Sequence, residues 1–258
     1  MSQILGEPPK EWLNRFRRRI ETTLKTKRFD ETLVDKTNIS QEETASDYIL
    51  RFKKVEERDK TILVSKTINV TPLKVEVRAP LNTWIAHPNS FALEAFLDSV
   101  AKIFAIKEGQ VALWFMLNEA HEITSTQRRA TKKDVQNAST WIRENGHYAD
   151  HLLINGSQYV DLSVNREIIE KWEIDQNFAR QQGKDFCGLM NGLKVYLVPF
   201  IPKQFMLVYE KRAARLKRTP WNLRFDNYNN PKELVMEEYC IAWFIEEGTA
   251  AKVHFNPL

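Results

Sequence analysis

Ser90–Met116, SFALEAFLDSVAKIFAIKEGQVALWFM, is the stretch on which a reading of this chain turns. Apolar residues recur at Leu93, Phe96, Leu97, Val100, Ile103, Phe104, Val111 and Trp114, mostly at the i, i+3, i+4, i+7 spacing of one helical face. Ser90 supplies an N-cap, and Pro88 separates the stretch from what precedes it. Asp98, Lys102 and Glu108 fall on the other side, which the pattern assigns to solvent. Gly109 is the one interruption, and an interior glycine costs about 1 kcal/mol, which packing can override. The pattern predicts a single helix of 27 residues. Such a helix is about 40 Å long at ~1.5 Å per residue, against an average of ~11 residues in globular proteins. A rod of that length needs a broad surface to lie on, and the strands on either side of it supply one.

Upstream, Ser46–Val70 reads as a long hairpin. Tyr48, Leu50 and Phe52 alternate on the way up, Ile62, Val64, Ile68 and Val70 on the way down, and the charged segment Glu56–Lys60 makes the tip. Strands of this length project roughly 30 Å, and a two-stranded ribbon alone is marginal in water. Its apolar side needs a cover, either the chain's own core or a neighbouring copy, with Tyr48, Leu50, Phe52, Ile62 and Val64 as the candidate contacts. Between hairpin and helix, Thr71-Pro72 breaks the ribbon and Leu73, Val75 and Val77 alternate with Lys74, Glu76 and Arg78, a half-buried strand. Before the hairpin, Asp30–Thr44 reads as an extended arm. Before that, Pro9–Lys25 reads as a helix with a stripe of Trp12, Leu13, Phe16, Ile20 and Leu24. Arg15, Arg18, Arg19 and Lys25 lie opposite the stripe, as a solvated face or one that meets nucleic acid.

Downstream, Asn118–Ala130 is polar and reads as a loop. Thr131-Lys132-Lys133-Asp134 has the form of a capping box with Asp for Glu, opening a helix that Asn145-Gly146 ends. His151–Asn155 reads as a short buried strand, Gly156–Leu162 as a helical turn, and Arg166–Arg180 as a further helix. Leu193–Ile201 and Phe205–Glu210 read as strands. Lys211–Arg218 holds five basic residues in eight. Glu238–Ile245 and Thr249–Phe255 read as a closing hairpin about Glu246-Glu247-Gly248.

Composition narrows the function classes. The 258 residues suffice for one large domain or two intertwined ones. A net charge of +4 accommodates a polyanionic partner without demanding one. Two cysteines, Cys187 and Cys240, give no disulfide framework and fit a reducing compartment. MSQILGEPPKEW lacks the apolar region of a signal peptide, and no apolar run approaches the ~18 residues of a membrane span, so no membrane association is expected. Eight glycines in the whole chain weigh against enzymes built on glycine-rich phosphate loops. No P-loop, GxGxxG, GxSxG or CxxC pattern is present. His147 and His151 are four apart, but Asn145-Gly146 breaks the helix that would present them together, so neither a metal nor another cofactor is expected. Nothing in the pattern selects an acid–base pair, and no enzymatic activity is expected.

The order of elements is N-terminal helix, extended arm, long hairpin, strand, very long helix, compact α/β segment, and a return to closing strands. That order resembles the α+β Hong Kong 97 phage capsid fold of tailed-virus major capsid proteins and encapsulin shells, over nearly the whole chain. KVEVRAP (74–80), DHLLINGSQYVDL (150–162) and TAAKVHFNP (249–257) are similar in local wording. The resemblance implies an N-terminal helix and arm at 1–45, an E-loop hairpin at 46–70, a peripheral domain at 71–130 and 232–258, and an axial domain at 131–231. It implies a major capsid protein of a virion, assembled in the host cytoplasm as hexamers and pentamers of an icosahedral shell, with scaffold or decoration proteins as further partners. Arg15, Arg18 and Arg19 would face double-stranded DNA inside, offsetting phosphate charge without reading sequence. An encapsulin shell around cargo enzymes is the alternative. EWLNRFRRRIETTLKTKRF is similar to the encapsulin N-terminal helix, but FDETLVDKTNIS lacks the glycine-containing motif that usually follows it. A nucleic-acid-binding protein using Lys211–Arg218 is a second alternative, without a recognisable binding motif.

Overall fold

An amphipathic helix opens the described chain. The computed structural model describes residues 9–28, 33–38, 47–57, 60–81, 91–227 and 232–255, with the backbone alone at 9, 10, 12, 35–38, 47–57 and 60–70. Helix α1 (Pro9–Lys27) starts on a proline, whose fixed φ suits a first turn, and ends among lysines that complement the helix dipole. Leu13, Phe16, Ile20 and Leu24 are buried along one side. The arm contributes β1 (Asp35–Asn38), and the ribbon is β2 (Asp47–Glu57) with β3 (Lys60–Val70). Strand β4 (Leu73–Pro80) buries Val75, Val77 and Ala79 in alternation. Helix α2 (Phe91–Glu119) runs unbroken for 29 residues; the expected N-cap Ser90 and the separating Pro88 lie outside the described residues.

Then follow β5 (His121–Ser125), α3 (Lys132–Glu144), β6 (His151–Ile154), α4 (Gly156–Val164), β7 (Ile169–Glu170) and α5 (Gln176–Gln181). The chain closes through β8 (Phe186–Met190), β9 (Leu193–Leu197), β10 (Phe205–Tyr209), β11 (Ala214–Arg218), β12 (Asn222–Phe225), β13 (Glu233–Phe244) and β14 (Ala250–Phe255). The capping box at the start of α3 is formed. Asp134 Oδ2 accepts from the Thr131 backbone N–H at 3.1 Å, and Thr131 Oγ1 accepts from the Asp134 N–H.

Two sheets share α2. In the five-stranded sheet β13 is central: β11 and β12 pair with one edge, β4 with the other, and β1 adds in parallel to β11. Helices α1 and α2 cover it through Phe16, Ile20, Leu97, Val100 and Phe104, packed on Val77, Leu234 and Met236. The seven-stranded mixed sheet runs β5-β14-β10-β6-β9-β8-β7, and α3 packs Val135, Ala138 and Ile142 against it. The last turns of α2 close a third cluster in which Leu113 and Met116 join Leu153 and Tyr209 of one sheet with Leu216 and Ile241 of the other. The helix is long because it bridges both sheets. Leu33 and Val34 of the arm are buried at that joint, and Tyr209 Oη donates to the Leu33 carbonyl at 2.9 Å.

Several expectations change. Along α2, Leu93, Leu97, Val100 and Phe104 are buried as their spacing requires, but Ile103 and Trp114 are 48% and 53% exposed. Because α2 meets two surfaces in succession, its buried side is not one stripe, and small residues (Ala101, Ala105, Gly109, Ala112) occupy much of it. Glu108, expected in solvent, is fully buried for a reason given below. His121–Ser125 is a strand rather than a loop: its polar side chains hide the pattern, while its backbone pairs in parallel with β14. Residues 166–180 are not one helix. Arg166 adopts φ 52°, β7 and a 3-10 turn follow, and Asp175 caps a fresh helix by accepting from Phe178 N–H at 2.9 Å. The closing strands are not a hairpin either. At Gly248 (φ 85°) the chain leaves β13 and crosses to the other sheet, where β14 pairs with β10 and β5. Sheet membership therefore exchanges segments relative to the ranges read from sequence: 214–225 joins β4 and β13, while 121–125 and 250–255 join the seven-stranded sheet.

Gly109 has a packing reason. A Cβ there would sit 2.4 Å from Cζ of Phe200. Gly109→Ala gains about 1 kcal/mol of helix propensity but overpacks a site where such additions cost about 1–3 kcal/mol. The expected outcome is an unchanged or lowered denaturant midpoint, and a clearly raised midpoint would contradict the Phe200 contact.

Candidate assembly surfaces and the arm junction

Where α1 ends, four charged side chains meet out of water. Arg28 Nε lies 2.8 Å from Glu108 Oε2 of α2, and Arg28 Nη2 donates to Glu238 Oε2 of β13. Arg218 Nη1 of β11 donates to Glu108 Oε1. Both carboxylate side chains are 0% exposed and both arginine side chains 14%. The Arg28 guanidinium also stands 5.8 Å over the Phe104 ring. Two guanidinium groups here face two buried carboxyl groups, and removing Glu108 would leave buried positive charge short of its partner. This explains why Glu108 can lie on the buried side of α2.

Helix α1 lies on α2 by its apolar stripe and by one polar clamp. Arg19 grips Asp98 with two hydrogen bonds, Nε–Oδ1 at 3.0 Å and Nη2–Oδ2 at 2.6 Å, and Thr23 Oγ1 donates to the same carboxylate at 2.5 Å. Arg19, with Thr23 adding to it, holds the Asp98 carboxyl below its ordinary value. Of the three arginines singled out in the sequence, Arg19 thus faces α2, while Arg15 and Arg18 are exposed on the outer side of α1 with Lys25. Arg17 stands 5.7 Å over the Trp221 ring.

Several of the other basic side chains are tied to partners within the subunit. Within Lys211–Arg218, Arg212 pairs with Glu210, Arg215 donates to the Arg212 carbonyl, and Arg218 belongs to the buried cluster. Within the run, Arg212 is exposed and Lys211, Arg215, Lys217 and Arg218 are half-buried. On the side of the five-stranded sheet away from α2, Lys74 bridges Glu76 and Glu237 at 2.5 and 2.8 Å, and Arg78 Nε meets Glu76 at 2.6 Å. Lys74 and then Arg78 hold the Glu76 carboxyl down to about 2.

The β2–β3 ribbon pairs with no other strand among the described residues. Its register sets Tyr48, Leu50 and Phe52 opposite Asn69, Thr67 and Ser65, and Ile62 and Val64 opposite Val55 and Lys53. The two candidate sets therefore stand at ladder positions of opposite parity, so apolar residues occur at both parities of the ribbon instead of one. Its tip residues Arg58 and Asp59 lie outside the described residues. Elsewhere, Ile103, Ile106 and Trp114 are about half exposed along α2, beside Leu73 of β4 at 39%. A second set of exposed apolar side chains comes from Val160 and Val164 of α4 with Ile169 and Trp172 beyond it. Apolar exposure on this scale marks surfaces made to be covered.

The groups with chemical potential are built into the core. His147 and His151 are buried; His147 Nδ1 lies 3.3 Å from Glu210, and His151 shares a hydrogen bond with Asp150 and stacks on Tyr196. No group of side chains suited to a metal ion occurs among the described residues. Burial pushes the Cys187 thiol up to about 12, which keeps it an inert small hydrophobe. No described helix is long and apolar enough to cross a membrane.

No protein-family profile matches the chain, and no curated protein sequence matches it. Solved structures do. A chain from the crystal structure of a virus-like particle from Pyrococcus furiosus matches with a TM-score of 0.67, covering 93% of this chain and 98% of that one at 9% identity. A chain of Mycobacterium phage Che8 matches at 0.60, covering 86% and 89% at 8% identity. A holo-SrpI encapsulin complex from Synechococcus elongatus matches at 0.59, covering 86% and 85% at 10% identity. The chain has the Hong Kong 97 capsid fold, the fold of phage capsids and encapsulin shells.

The buried cluster was not found from sequence, and its test is direct. Glu108→Ala strands Arg28 and Arg218, and breaking a buried ion pair costs about 3–5 kcal/mol. The denaturant midpoint should fall accordingly, while Arg19→Gln, at the exposed clamp, should move it much less. Equal small shifts for both would show that the cluster contributes little.

Proposed function

We propose that this protein is the subunit of a closed icosahedral shell of hexamers and pentamers, a viral major capsid protein that encloses double-stranded DNA. The observation that carries the shell reading is the β2–β3 ribbon. Among the described residues, two strands of eleven residues each pair with each other alone, and a lone ribbon is marginal in water. A neighbouring copy supplies the missing cover, and the half-exposed Ile103, Ile106 and Trp114 of α2 offer it a seat. The second apolar set at Val160, Val164, Ile169 and Trp172 gives the subunit another contact, as a molecule with several neighbours needs. We take the seven-stranded unit as the axial part and the five-stranded unit as the peripheral part. No enzymatic activity enters this reading.

One observation favours a genome over a protein cargo. Of Trp12, Phe16 and Ile20, the apolar side chains through which α1 could hold a cargo peptide, Phe16 and Ile20 are 2% and 0% exposed within the subunit, and the side chain of Trp12 lies outside the described residues. What α1 presents outward is Arg15, Arg18 and Lys25, groups that offset phosphate charge. An encapsulin shell remains the second reading, supported by the same fold.

The ribbon tests assembly. Deleting 54–62 should leave a folded chain, with its thermal transition retained, that no longer builds shells. Particles of normal size from the deletion would remove the inter-subunit role of the ribbon. Arg15→Gln with Arg18→Gln tests the contents: shell yield should hold while DNA per particle, read from the ratio of nucleic-acid to protein absorbance, falls. Unchanged DNA content would overturn the genome assignment of α1, and loss of a co-purifying protein instead would move the reading to an encapsulin.

A further inference from the structure

Glu238 has one carboxylate oxygen satisfied and one bare. Oε2 accepts from Arg28 Nη2, while Oε1 is buried with no hydrogen-bond partner among the described residues. Its side chain is 0% exposed, and the equally buried Glu108 competes with it for Arg28. The charged and titratable groups around it are Arg28 beyond α1, Glu108 of α2, Arg218 of β11 and the Cys240 thiol of β13 itself. We infer that Glu238 carries a dissociable proton at this junction of arm, helix and sheet, and that losing it loosens the junction as pH rises past neutrality.

Geometry supports the proton first. Arg218 and Arg28 both reach Glu108, which leaves Glu238 with a share of one guanidinium and an unpaired oxygen. A buried carboxylate in that position is stable when neutral and strained when charged. Burial, and then repulsion from Glu108, outweigh the two arginines and push the Glu238 carboxyl up to about 8 from an ordinary 4.5. The folded value lies above the unfolded one, so the native state keeps a proton that the unfolded chain has released. This contribution to stability is whole below pH about 4.5 and is lost as pH rises through about 8. Ionised Glu238 regains water when the junction opens. Arg28 lies just past the last residue of α1, so the end of that helix is what swings away.

Cys240 reports the opening. It is 0% exposed and lies in the field of the same four groups, so a thiol reagent reaches it when the junction parts. The experiment is the labelling rate of Cys240 in the full chain carrying Cys187→Ser, with and without Glu238→Gln, from pH 6 to 9. The reagent reacts in the opened junction, where water screens Glu238 from Cys240, so intrinsic thiolate chemistry is common to both chains and cancels in their ratio. The rate in the chain that keeps Glu238, relative to the chain carrying Glu238→Gln, should climb by up to about tenfold per pH unit below 8 and level off above it. A flat ratio overturns the inference. Should Glu238→Gln fail to fold, the parent alone decides. Refolding at pH 7.5 in weak buffer with an indicator dye should take up on the order of one proton, and no uptake, or a release, overturns the inference.

Discussion

Two carboxylates and two guanidinium groups, closed off from water where α1 ends, fix how the parts of this subunit meet. Each comes from a different element: Arg28 from the arm, Glu108 from the spine helix α2, Arg218 from β11 and Glu238 from β13. They hold one another in place, because a guanidinium left unpaired there is costly. Apolar contacts alone would allow α1 to slide along α2; the cluster and the Arg19–Asp98 clamp admit one register. The arm is therefore attached by specific polar contacts at its helical end and by apolar burial at Leu33 and Val34 beyond it.

From that junction the architecture follows. A helix of 29 residues spans about 44 Å, enough to lie across one sheet and finish against a second. Its buried side changes direction along its length, which accounts for both the small residues on it and the apolar ones left outside. Among the described residues, exposed apolar side chains gather on the outer side of α2 and around α4. Meanwhile His147, His151, Cys187 and Cys240 are tied into the packing.

Much of this was legible in the sequence because it depended on local pattern. The long helix, the ribbon, the alternating β4 and the Thr131–Asp134 capping box all announced themselves by period or by residue type, and their order carried the fold. Strand β5 was illegible because its pairing uses backbone groups while its side chains are polar. The path from β13 to β14 was illegible because a Glu-Glu-Gly turn is equally good at returning to its own sheet and at crossing to another. Glu108 did leave a trace. It stands four residues after Phe104 and four before Ala112, in phase with buried positions, and a carboxylate in that phase requires a buried cation. The cation could not be read off, since Arg28 and Arg218 lie 80 and 110 residues away in the chain. Of the three α1 arginines, the partner of Arg19 was hidden in the same manner: Asp98 is 79 residues distant.

The central claim is that this chain closes on copies of itself. Electron microscopy of the purified full chain, combined with its sedimentation, tests that claim most directly. The account predicts closed particles of uniform diameter, or hexameric and pentameric capsomers on the way to them. A monodisperse monomer or dimer at all protein concentrations would contradict it.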